Sequence, residues 1–372
     1  MKKITAWMKQ EAVLCITLLC AVVTMIFVPP SAAYIEYFDW RVLALLFCLM
    51  AVVAGFTQCG LLDNSARRLL EGEKPLRLLA LALVALPFFT SMMITNDVAL
   101  IAFVPFALLV LTMLGRQRYA VWIVVLQTLA ANLGSMATPI GNPQNLFLYS
   151  FFELSPGEFF RVVLPPALVS LVLIALLCLR LPAETLHVQF SSPLQPLPRK
   201  RLLLFGALLV LCLFTVFRVI PWHITLAVTA AALAFFAREL FAKIDYALLA
   251  TFVFFFIFAG NLGEIPAART FFMNLMQQIP LTASALASQF ISNVPAAVLL
   301  ADFTQNSSAL LAGVNVGGLG TPVASLASLI SLKLYMRTPQ AQPKRYLAVF
   351  LGLNAAFLAV LYVLCAAWNA TL

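Results

Sequence analysis

The sequence predicts an all-α polytopic membrane protein built from two inverted repeats, with re-entrant hairpins and broken helices. Of its 372 residues, 63% are hydrophobic and only 10% are charged. A soluble domain has about 25% charged residues, so this composition excludes a water-soluble fold. Apolar runs long enough to span a bilayer recur along the chain. Polar motifs also recur in the same order in both halves, which predicts the internal repeat.

The apolar runs predict complete membrane crossings and two re-entrant hairpins. The hairpins are expected at about 77–114 and 270–303, because polar residues interrupt each stretch near its middle. Non-helical backbone at this depth is tolerated only inside protein or beside an aqueous cavity. The complete crossings are expected at 11–28, 39–59, 119–149, 161–180, 202–219, 222–241, 246–262, 307–334 and 346–368.

The first apolar run could also belong to a signal peptide. It follows Lys2, Lys3 and Lys9 and precedes Ser31-Ala32-Ala33, which fits a signal-peptide pattern. The run is longer than the usual signal-peptide core and has a counterpart later in the chain. We therefore expect a retained first helix.

Basic residues predict the orientation. With a cytoplasmic N-terminus, 19 of the 23 lysines and arginines fall in segments predicted to lie inside. This excess predicts a multi-pass inner-membrane protein with a periplasmic C-terminus. The net charge of +9 is therefore assigned to cytoplasmic loops, and no nucleic-acid partner is expected. The remaining basic residues are Arg41, Arg161, Arg218 and Arg269.

Three regions follow from this layout. A proline-rich polar stretch, 181–201, predicts a semi-rigid cytoplasmic linker between the halves. Before it, Leu61–Leu76 resembles an interfacial amphipathic helix. The first repeat is expected at 1–180, with its broken helix at about 119–149, and an extra helix plus the second repeat at 202–372, with its broken helix at about 307–334.

The repeat is most visible at the helix breaks. Asn132 and Asn315 are separated by 183 positions, as are Thr138 and Thr321. The breaks in the two hairpins also correspond, because Ser91–Thr95-Asn96 is matched by Ser288–Ser292-Asn293. At the offset of 183, Asn142 and Asn145 align with Ser325 and Ser328. Polar positions three apart share one helix face.

These breaks predict the solute site. A broken helix exposes unpaired N–H groups at one end and unpaired C=O groups at the other, which attract anions and cations respectively. An alternative is that the breaks are proline kinks between packed helices, with Gly313 and Gly317 forming a GxxxG contact. The candidate solute-binding residues are Thr95, Asn96, Asp97, Asn132, Thr138, Pro139, Asn142, Gln144, Asn145, Ser292, Asn293, Asn315, Thr321, Pro322, Ser325 and Ser328.

Asp97 is the most distinctive candidate. A charged group deep in the bilayer costs about 3 kcal/mol or more, so such residues are functional by default. Asp97 could bind Na⁺, carry a coupling proton or be paired structurally, and we expect a coupling role. The other hairpin acid, Asp302, is expected to be a solvated helix end near the outer surface. No Lys or Arg lies at either break, so backbone N–H groups and hydroxyls would hold an anion, while a neutral polyhydroxyl solute or a bare cation fits as well.

With these motifs in hand, the chain resembles the ion-transporter superfamily and most of all its ArsB/NhaD group. This superfamily contains arsenite permeases, sodium/proton antiporters, citrate/proton symporters and sodium-coupled dicarboxylate transporters. The motifs are Thr95-Asn96-Asp97, the Thr138-Pro139 and Thr321-Pro322 breaks, Gly141-Asn142-Pro143-Gln144-Asn145 and Ser292-Asn293-Val294-Pro295. The resemblance implies that hairpin tips and broken helices form the ion and substrate sites, that the mechanism is elevator-type, and that the protein is a homodimer. Dicarboxylate transporters carry Ser-Asn-Thr at both tips, so Asp97 and Val294 depart from their pattern.

The predicted function is secondary active transport of a small anion or metalloid oxyanion, coupled to H⁺ or Na⁺. The alternatives are a Na⁺/H⁺ antiporter without an organic substrate and an ion channel of the same architecture. An enzyme is not expected, because His187 and His223 are the only histidines and no HExxH or P-loop motif occurs. The seven cysteines form no CxxC pair, so neither a metal site nor a cofactor is expected. The expected partners are a small-molecule or inorganic ion substrate and membrane lipid.

Overall fold

The computed structural model of the chain describes residues 11–190 and 196–371. Within these ranges the chain is almost entirely helical, with one two-stranded antiparallel sheet. The predictions that rest on Lys2, Lys3, Lys9 and Pro193 lie outside the described residues.

The described part of the first half contains eight α-helices and one strand before the linker. Their bounds are α1 Ala12–Met25, α2 Trp40–Gln58, α3 Leu61–Leu70, β1 Gly72–Pro75, α4 Leu76–Thr90, α5 Asn96–Met113, α6 Ala120–Ser135, α7 Pro143–Phe151 and α8 Pro156–Leu179. Short 3₁₀ helices also occur at Ala32–Tyr37 and Gln117–Tyr119.

The linker and the second half complete the fold. Their bounds are β2 Thr185–Val188, α9 Arg199–Val216, α10 Trp222–Phe236, a 3₁₀ helix Arg238–Lys243, α11 Tyr246–Glu264, α12 Pro266–Gln278, α13 Pro280–Ile291, α14 Asn293–Ala301, α15 Ser307–Gly317, α16 Leu326–Met336 and α17 Pro343–Asn369.

Equivalent residues start equivalent helices in the two halves. Asp39 precedes α2 and accepts a hydrogen bond from the Val42 N–H, at 2.9 Å. Asp245 precedes α11 and accepts one from the Leu248 N–H, also at 2.9 Å. A carboxylate at this position satisfies an N–H that has no partner inside the helix. The repeat therefore extends to the capping chemistry of its helices.

Five helices in the described part of the chain are long and apolar enough to cross a membrane. They are Trp40–Gln58, Asn96–Met113, Pro156–Leu179, Tyr246–Glu264 and Pro343–Asn369. The predicted crossings at 119–149 and 307–334 are each divided between two shorter helices, as expected for broken helices. The crossing predicted at 202–219 corresponds to α9, which begins with three basic residues, Arg199, Lys200 and Arg201.

Hairpin 1, formed by α4 and α5, has both of its open ends at the linker. Strand β1, which leads into α4, pairs with β2, and the Leu76 N–H donates to the Glu184 carbonyl at 2.8 Å. Just beyond α5, the Arg116 guanidinium forms a salt bridge with the Glu184 carboxylate. The chain therefore enters and leaves on one side, although α5 alone is long enough to cross. We call this side, where β2 lies, the linker face.

Hairpin 2, formed by α13 and α14, opens on the other side of the molecule, the distal face. Helix α8 has 24 residues and spans about 36 Å from the distal face to the linker. The Trp368 indole N–H, at the end of α17, donates to the Arg161 carbonyl near the start of α8, at 2.9 Å. Thr282, near the start of hairpin 2, hydrogen-bonds Tyr362 in the same end of α17, at 2.6 Å. The hairpins therefore enter from opposite faces, which is the inverted arrangement.

Two predicted boundaries and the predicted structure of the linker are wrong. Residues 270–278 do not belong to hairpin 2, because they form the second part of the separate helix α12. Pro280 then starts a new helix, as proline does readily at a first helical position. The amphipathic helix expected at Leu61–Leu76 ends at Leu70, where the chain turns into β1. The linker also contains a paired strand, β2, rather than only a proline-rich spacer.

Candidate functional site

The tips of the two hairpins have different backbone geometry. In hairpin 1, residues 91–95 separate α4 from α5, and Thr95 is extended. In hairpin 2 the break is only Ser292, at φ 74° and ψ 155°. A non-glycine residue costs roughly 1–3 kcal/mol in such a conformation, and this kind of strain concentrates at functional sites. The surrounding bonds hold it in place: the Asn293 N–H donates to the Ala324 carbonyl at 3.0 Å.

Asn132 links hairpin 1 to the broken helix of the other repeat. The side-chain oxygen of Asn132, Oδ1, accepts from the Asn96 side-chain amide at 3.0 Å and from the Ser325 hydroxyl at 3.0 Å. Its amide donates to the Ser328 hydroxyl at 3.2 Å. Asn132 is therefore bonded to the hairpin 1 tip and to the start of α16.

Asn315, the counterpart of Asn132, makes the reciprocal connection. Its amide donates to the Asn145 side-chain oxygen at 2.7 Å, and its own oxygen accepts from the Asn142 amide at 3.4 Å. Each repeat thus reaches with one asparagine into the broken helix of the other. All of these side chains are buried. The sequence alignment of Asn142 and Asn145 with Ser325 and Ser328 therefore corresponds to equivalent positions in space.

The Thr-Pro loops are fastened to the hairpins in the same way in both repeats. The Thr138 hydroxyl donates to the Met92 carbonyl, and the Thr321 hydroxyl donates to the Gln289 carbonyl at 3.1 Å. Gln289 adds bonds that hairpin 1 lacks at Met92, because its amide donates to the Gly317 and Leu319 carbonyls, both at 2.7 Å. Sequence analysis did not single out Gln289, although a glutamine within an apolar hairpin is a detectable signal.

Two equivalent glycines allow the hairpins to pack closely on the broken helices. A Cβ on Gly134 would lie 2.1 Å from the Phe88 carbonyl oxygen, and one on Gly317 would lie 2.8 Å from the Ala285 Cα. Gly313 likewise lies directly against Ser284. The GxxxG contact proposed as an alternative is therefore present, and it occurs together with the polar network rather than in place of it.

Four helix N-termini meet at a central cavity of about 40 Å³. The cavity lies between the two hairpin tips and is lined by the first residues of α5, α7, α14 and α16. Of these four helices, only α7 is capped by the side chain of the residue before it: the Asn142 side-chain oxygen accepts from the Asn145 N–H at 2.9 Å. Thr95, Ser292 and Ser325 make no capping bond to the helices that they precede. At α5 and α14 the first asparagine takes over part of this role, because the Asn96 and Asn293 side-chain oxygens accept from the N–H groups of Asp97 and Val294, both at 3.0 Å. The positive ends of four helix dipoles still converge on the cavity and favour an anion there.

Asp97 is the acidic residue at this junction. It lies in the first turn of α5 and lines the central cavity. Its Oδ1 is buried and has no hydrogen-bond partner among the described residues. A buried carboxylate oxygen without a partner is costly, and acids at this depth in a membrane protein are candidates for function.

A second cavity, of about 570 Å³, adjoins the first and is called here the linker-face cavity. It shares Asp97 and Pro143 with the central cavity and extends between α2 and α11 to Gln58 and Lys243. The Gln58 amide donates to Glu239 at 3.3 Å, and Glu239 pairs with Arg201 at the start of α9. Because Arg201 lies at the end of the linker, the cavity leads from the hairpin 1 tip toward the linker face.

The equivalent space on the distal side is smaller, about 160 Å³. Phe147 and Phe256 line it with ring centroids 5.8 Å apart, and their counterparts beside the linker-face cavity are Ile330 and Met50. Aromatic rings therefore fill on the distal side the volume that aliphatic side chains leave open on the other. Asp302 lines this distal space and is exposed.

The candidate residues fall into four groups. Six line the central cavity directly: Asn96, Asp97, Gln144, Ser292, Asn293 and Ser325. Thr95 lines only the linker-face cavity. The network behind the cavity consists of Asn132, Asn142, Asn145, Asn315 and Ser328, while Thr138, Pro139, Thr321 and Pro322 lie in the unwound loops. Sequence analysis missed Val13, Leu248 and Thr251, which complete the wall from α1 and α11.

Comparison with known proteins identifies the family. The model described as "Citrate transporter" matches residues 4–330. The chain belongs to the citrate transporter family. It is a multi-pass membrane transporter, and the expectation that it is not an enzyme agrees with the transporters to which it is similar.

Relatives in this family share most of the chain. An uncharacterized transporter of Methanocaldococcus jannaschii is 30% identical over 304 residues, 80% of this chain and 81% of that protein. The inner membrane protein YbiR of Escherichia coli is 32% identical over 304 residues, 80% of each chain. The crystal structure of the YdaH transporter of Alcanivorax borkumensis matches with a TM-score of 0.54 and 15% identity, over 91% of this chain and 88% of that one. This last likeness shows the fold alone.

Proposed function

We propose that the protein is a secondary active transporter that carries a small anion or a metalloid oxyanion, coupled to H⁺ or Na⁺. The convergence of four helix N-termini on the central cavity is the observation that carries this proposal. No arginine or lysine lines that cavity among the described residues, so the helix dipoles and the backbone N–H groups at the starts of α5, α7 and α16 would bind the solute.

The cavity sizes support a small solute at the tips. About 40 Å³ is room for a few waters or a small inorganic ion, since a cavity holds one water for roughly every 10–15 Å³ of such volume. Pockets for larger organic ligands usually measure about 300–1,000 Å³. A citrate-sized acid would therefore extend into the linker-face cavity of 570 Å³, with one carboxylate at the helix starts.

Asp97 is proposed to couple the solute to the ion gradient. An ionised carboxylate in the same cavity repels an anion, and the low dielectric strengthens that repulsion. A proton or a Na⁺ on Asp97 removes the repulsion, so the anion and the coupling ion bind together. This reasoning favours symport for an anionic solute.

Orientation, assembly and motion are proposed from the charge pattern and the family resemblance. The linker face carries Arg180, Arg199 and Lys200, so we assign it to the cytoplasmic side of the inner membrane, and the C-terminus to the periplasmic side. The resemblance adds a homodimer and an elevator-type movement of the hairpins and broken helices. Solute exchange with the cytoplasm would then use the linker-face cavity.

The test is transport by the purified protein in proteoliposomes. Uptake of radiolabelled citrate, phosphate and arsenite is measured with an imposed pH or Na⁺ gradient and without one. We expect one solute to accumulate above its equilibrium level only when the gradient is present. Accumulation of none of the anions or oxyanions under either gradient would refute the proposal, and flux that only follows the solute's own gradient would indicate a channel.

A Na⁺/H⁺ antiporter is the second candidate, and Asp97 is the observation that favours it. The Asp97 Oδ1 has no hydrogen-bond partner in the described parts of the chain, and a carboxyl of this kind in a 40 Å³ cavity can exchange H⁺ for Na⁺ without any organic substrate. A pH-sensitive dye trapped in the same vesicles distinguishes the two. A Na⁺ pulse that alone moves protons supports the antiporter, whereas proton movement that requires the anion supports the symporter.

A further inference from the structure

A separate cavity of about 420 Å³ lies at the linker face, away from the site described above. It is enclosed by the end of α5, the start of α6, the end of α16 and the start of α17. We call it the linker-face pocket. Neither hairpin tip contributes to it, so the proposed transport reaction does not use it.

The linker-face pocket combines an apolar floor with a basic rim. Leu111, Val121 and Tyr335 are buried and line the floor. The rim carries the exposed residues Arg118 and Arg345, together with neutral amides and hydroxyls, and none of the lining residues in the described chain is acidic. A small, fully hydrated anion needs no apolar floor, and an apolar ligand gains nothing from the arginines.

Both arginines are available to a ligand. Among the described residues neither forms a salt bridge, in contrast to neighbouring Arg116, which pairs with Glu184. Arg118 lies over the Tyr119 ring at 4.7 Å, and Arg345 donates to the Gln342 side chain at 3.2 Å. These neutral contacts orient the guanidinium groups without neutralising their charge.

The pocket also lies where a lipid headgroup would be found. It is at the ends of the long apolar helices α5 and α17, and the outer side of α5 carries the exposed apolar residues Leu109 and Met113. Basic pockets between helix ends on this kind of face bind anionic headgroups, and each basic residue contributes a roughly equal share. We propose that the linker-face pocket binds an anionic phospholipid, with the phosphate on Arg118 and Arg345 and the glycerol end of the acyl chains on the apolar floor.

The occupant would connect two parts of the molecule. Arg118 follows hairpin 1, whereas Arg345 begins the last helix of the second repeat. A phosphate between them would tie the outgoing end of hairpin 1 to α17. This inference holds for any transported solute and does not depend on the proposed function.

Lipid retention by the full-length protein tests the proposal. Native mass spectrometry compares the apparent affinities of phosphatidylglycerol and phosphatidylcholine for the wild type and for Arg118→Gln/Arg345→Gln. We expect the wild type to prefer phosphatidylglycerol and the double variant to bind it about 25-fold more weakly, with each single variant about 5-fold weaker. Both side chains are exposed, so the substitutions leave the core intact.

The matched control is Arg180→Gln/Arg199→Gln, which removes the same charge from exposed positions on the same face outside the pocket. We expect this control to bind phosphatidylglycerol like the wild type. Equal losses in the two double variants would overturn the proposal, because the attraction would then be diffuse. A wild type without preference between the lipids would also overturn it. So would inorganic phosphate that competes fully at equal concentration, because the pocket would then be a free-anion site.

Discussion

Replacement of Asn132 by leucine is expected to weaken the link between the two repeats. Asn132 makes three side-chain hydrogen bonds, to Asn96, Ser325 and Ser328. A typical buried bond contributes about 1 kcal/mol, and measured values inside membrane proteins average about 0.6 kcal/mol. Asn132→Leu should therefore cost about 2–3 kcal/mol, which is roughly a 30- to 150-fold change in the unfolding equilibrium.

Reversible denaturant unfolding of the purified protein in mixed micelles measures this cost. Asn354→Leu is the matched control, because Asn354 is also fully buried but makes one hydrogen bond, to the Phe350 carbonyl, while its Oδ1 has no partner in the described chain. Leucine there removes an unpaired polar atom, so the change should stay within about 1 kcal/mol. A similar cost for the two substitutions, or no cost for Asn132→Leu, would refute the network argument.

Three further sets of substitutions test particular parts of the fold. Thr138→Val and Thr321→Val should each cost about 1 kcal/mol, and about 2 kcal/mol when combined, because each removes one hydroxyl bond to a hairpin carbonyl in its own repeat. Arg116→Gln should speed hydrogen exchange at the first turn of α4, because it releases the partly exposed salt bridge that holds the open end of hairpin 1. The double variant Phe147→Ile/Phe256→Met should enlarge the distal space toward the size of the linker-face cavity, and a thiol-reactive probe added from the distal side measures it.

The controls for these substitutions use neighbouring contacts of the same type. Thr112→Val is the control for the two threonine substitutions, because the Thr112 hydroxyl is exposed and bonds only to the Leu108 carbonyl of its own helix among the described residues. An equal loss of unfolding free energy in Thr112→Val would contradict the reasoning. Asp63→Asn is the control for Arg116→Gln, because it removes the Asp63–Arg67 salt bridge, which lies entirely within α3. Hydrogen exchange at the first turn of α4 should stay unchanged in this control. For the distal space, a Val298→Cys reporter is placed in a background without the native cysteines. Unchanged labelling in the double variant would show that the phenylalanines do not close that side.

The repeat and its breaks could be predicted because they depend on residue types that membrane helices otherwise avoid. The spacing of Asn132 to Asn315 set the correspondence that the structure shows as reciprocal hydrogen bonds. The opposite entry of the hairpins was also predictable, since it follows from the charge pattern of the flanking segments.

Other features depend on contacts between distant segments, which a local pattern does not reveal. Strand β1 forms because Gly72–Pro75 pairs with Thr185–Val188, which lies in the linker and is distant in sequence. The division between α12 and hairpin 2 was missed because residues 270–278 carry no charged residue and continue the apolar stretch up to Pro280. Thr251 was not identified as a cavity residue, because a threonine that bonds its own helix is common in apolar helices.

Coupled accumulation by Asp97→Asn tests most directly whether the carboxyl between the hairpin tips links the solute to the ion gradient. Asp97→Glu and Asp302→Asn are measured beside it, because the first keeps the carboxyl and the second removes the acid that lies outside the central cavity. We expect Asp97→Asn to lose gradient-driven accumulation while it still exchanges solute across the membrane. Asp97→Glu should keep part of the accumulation, and Asp302→Asn nearly all of it. Full gradient-driven accumulation by Asp97→Asn would contradict the account.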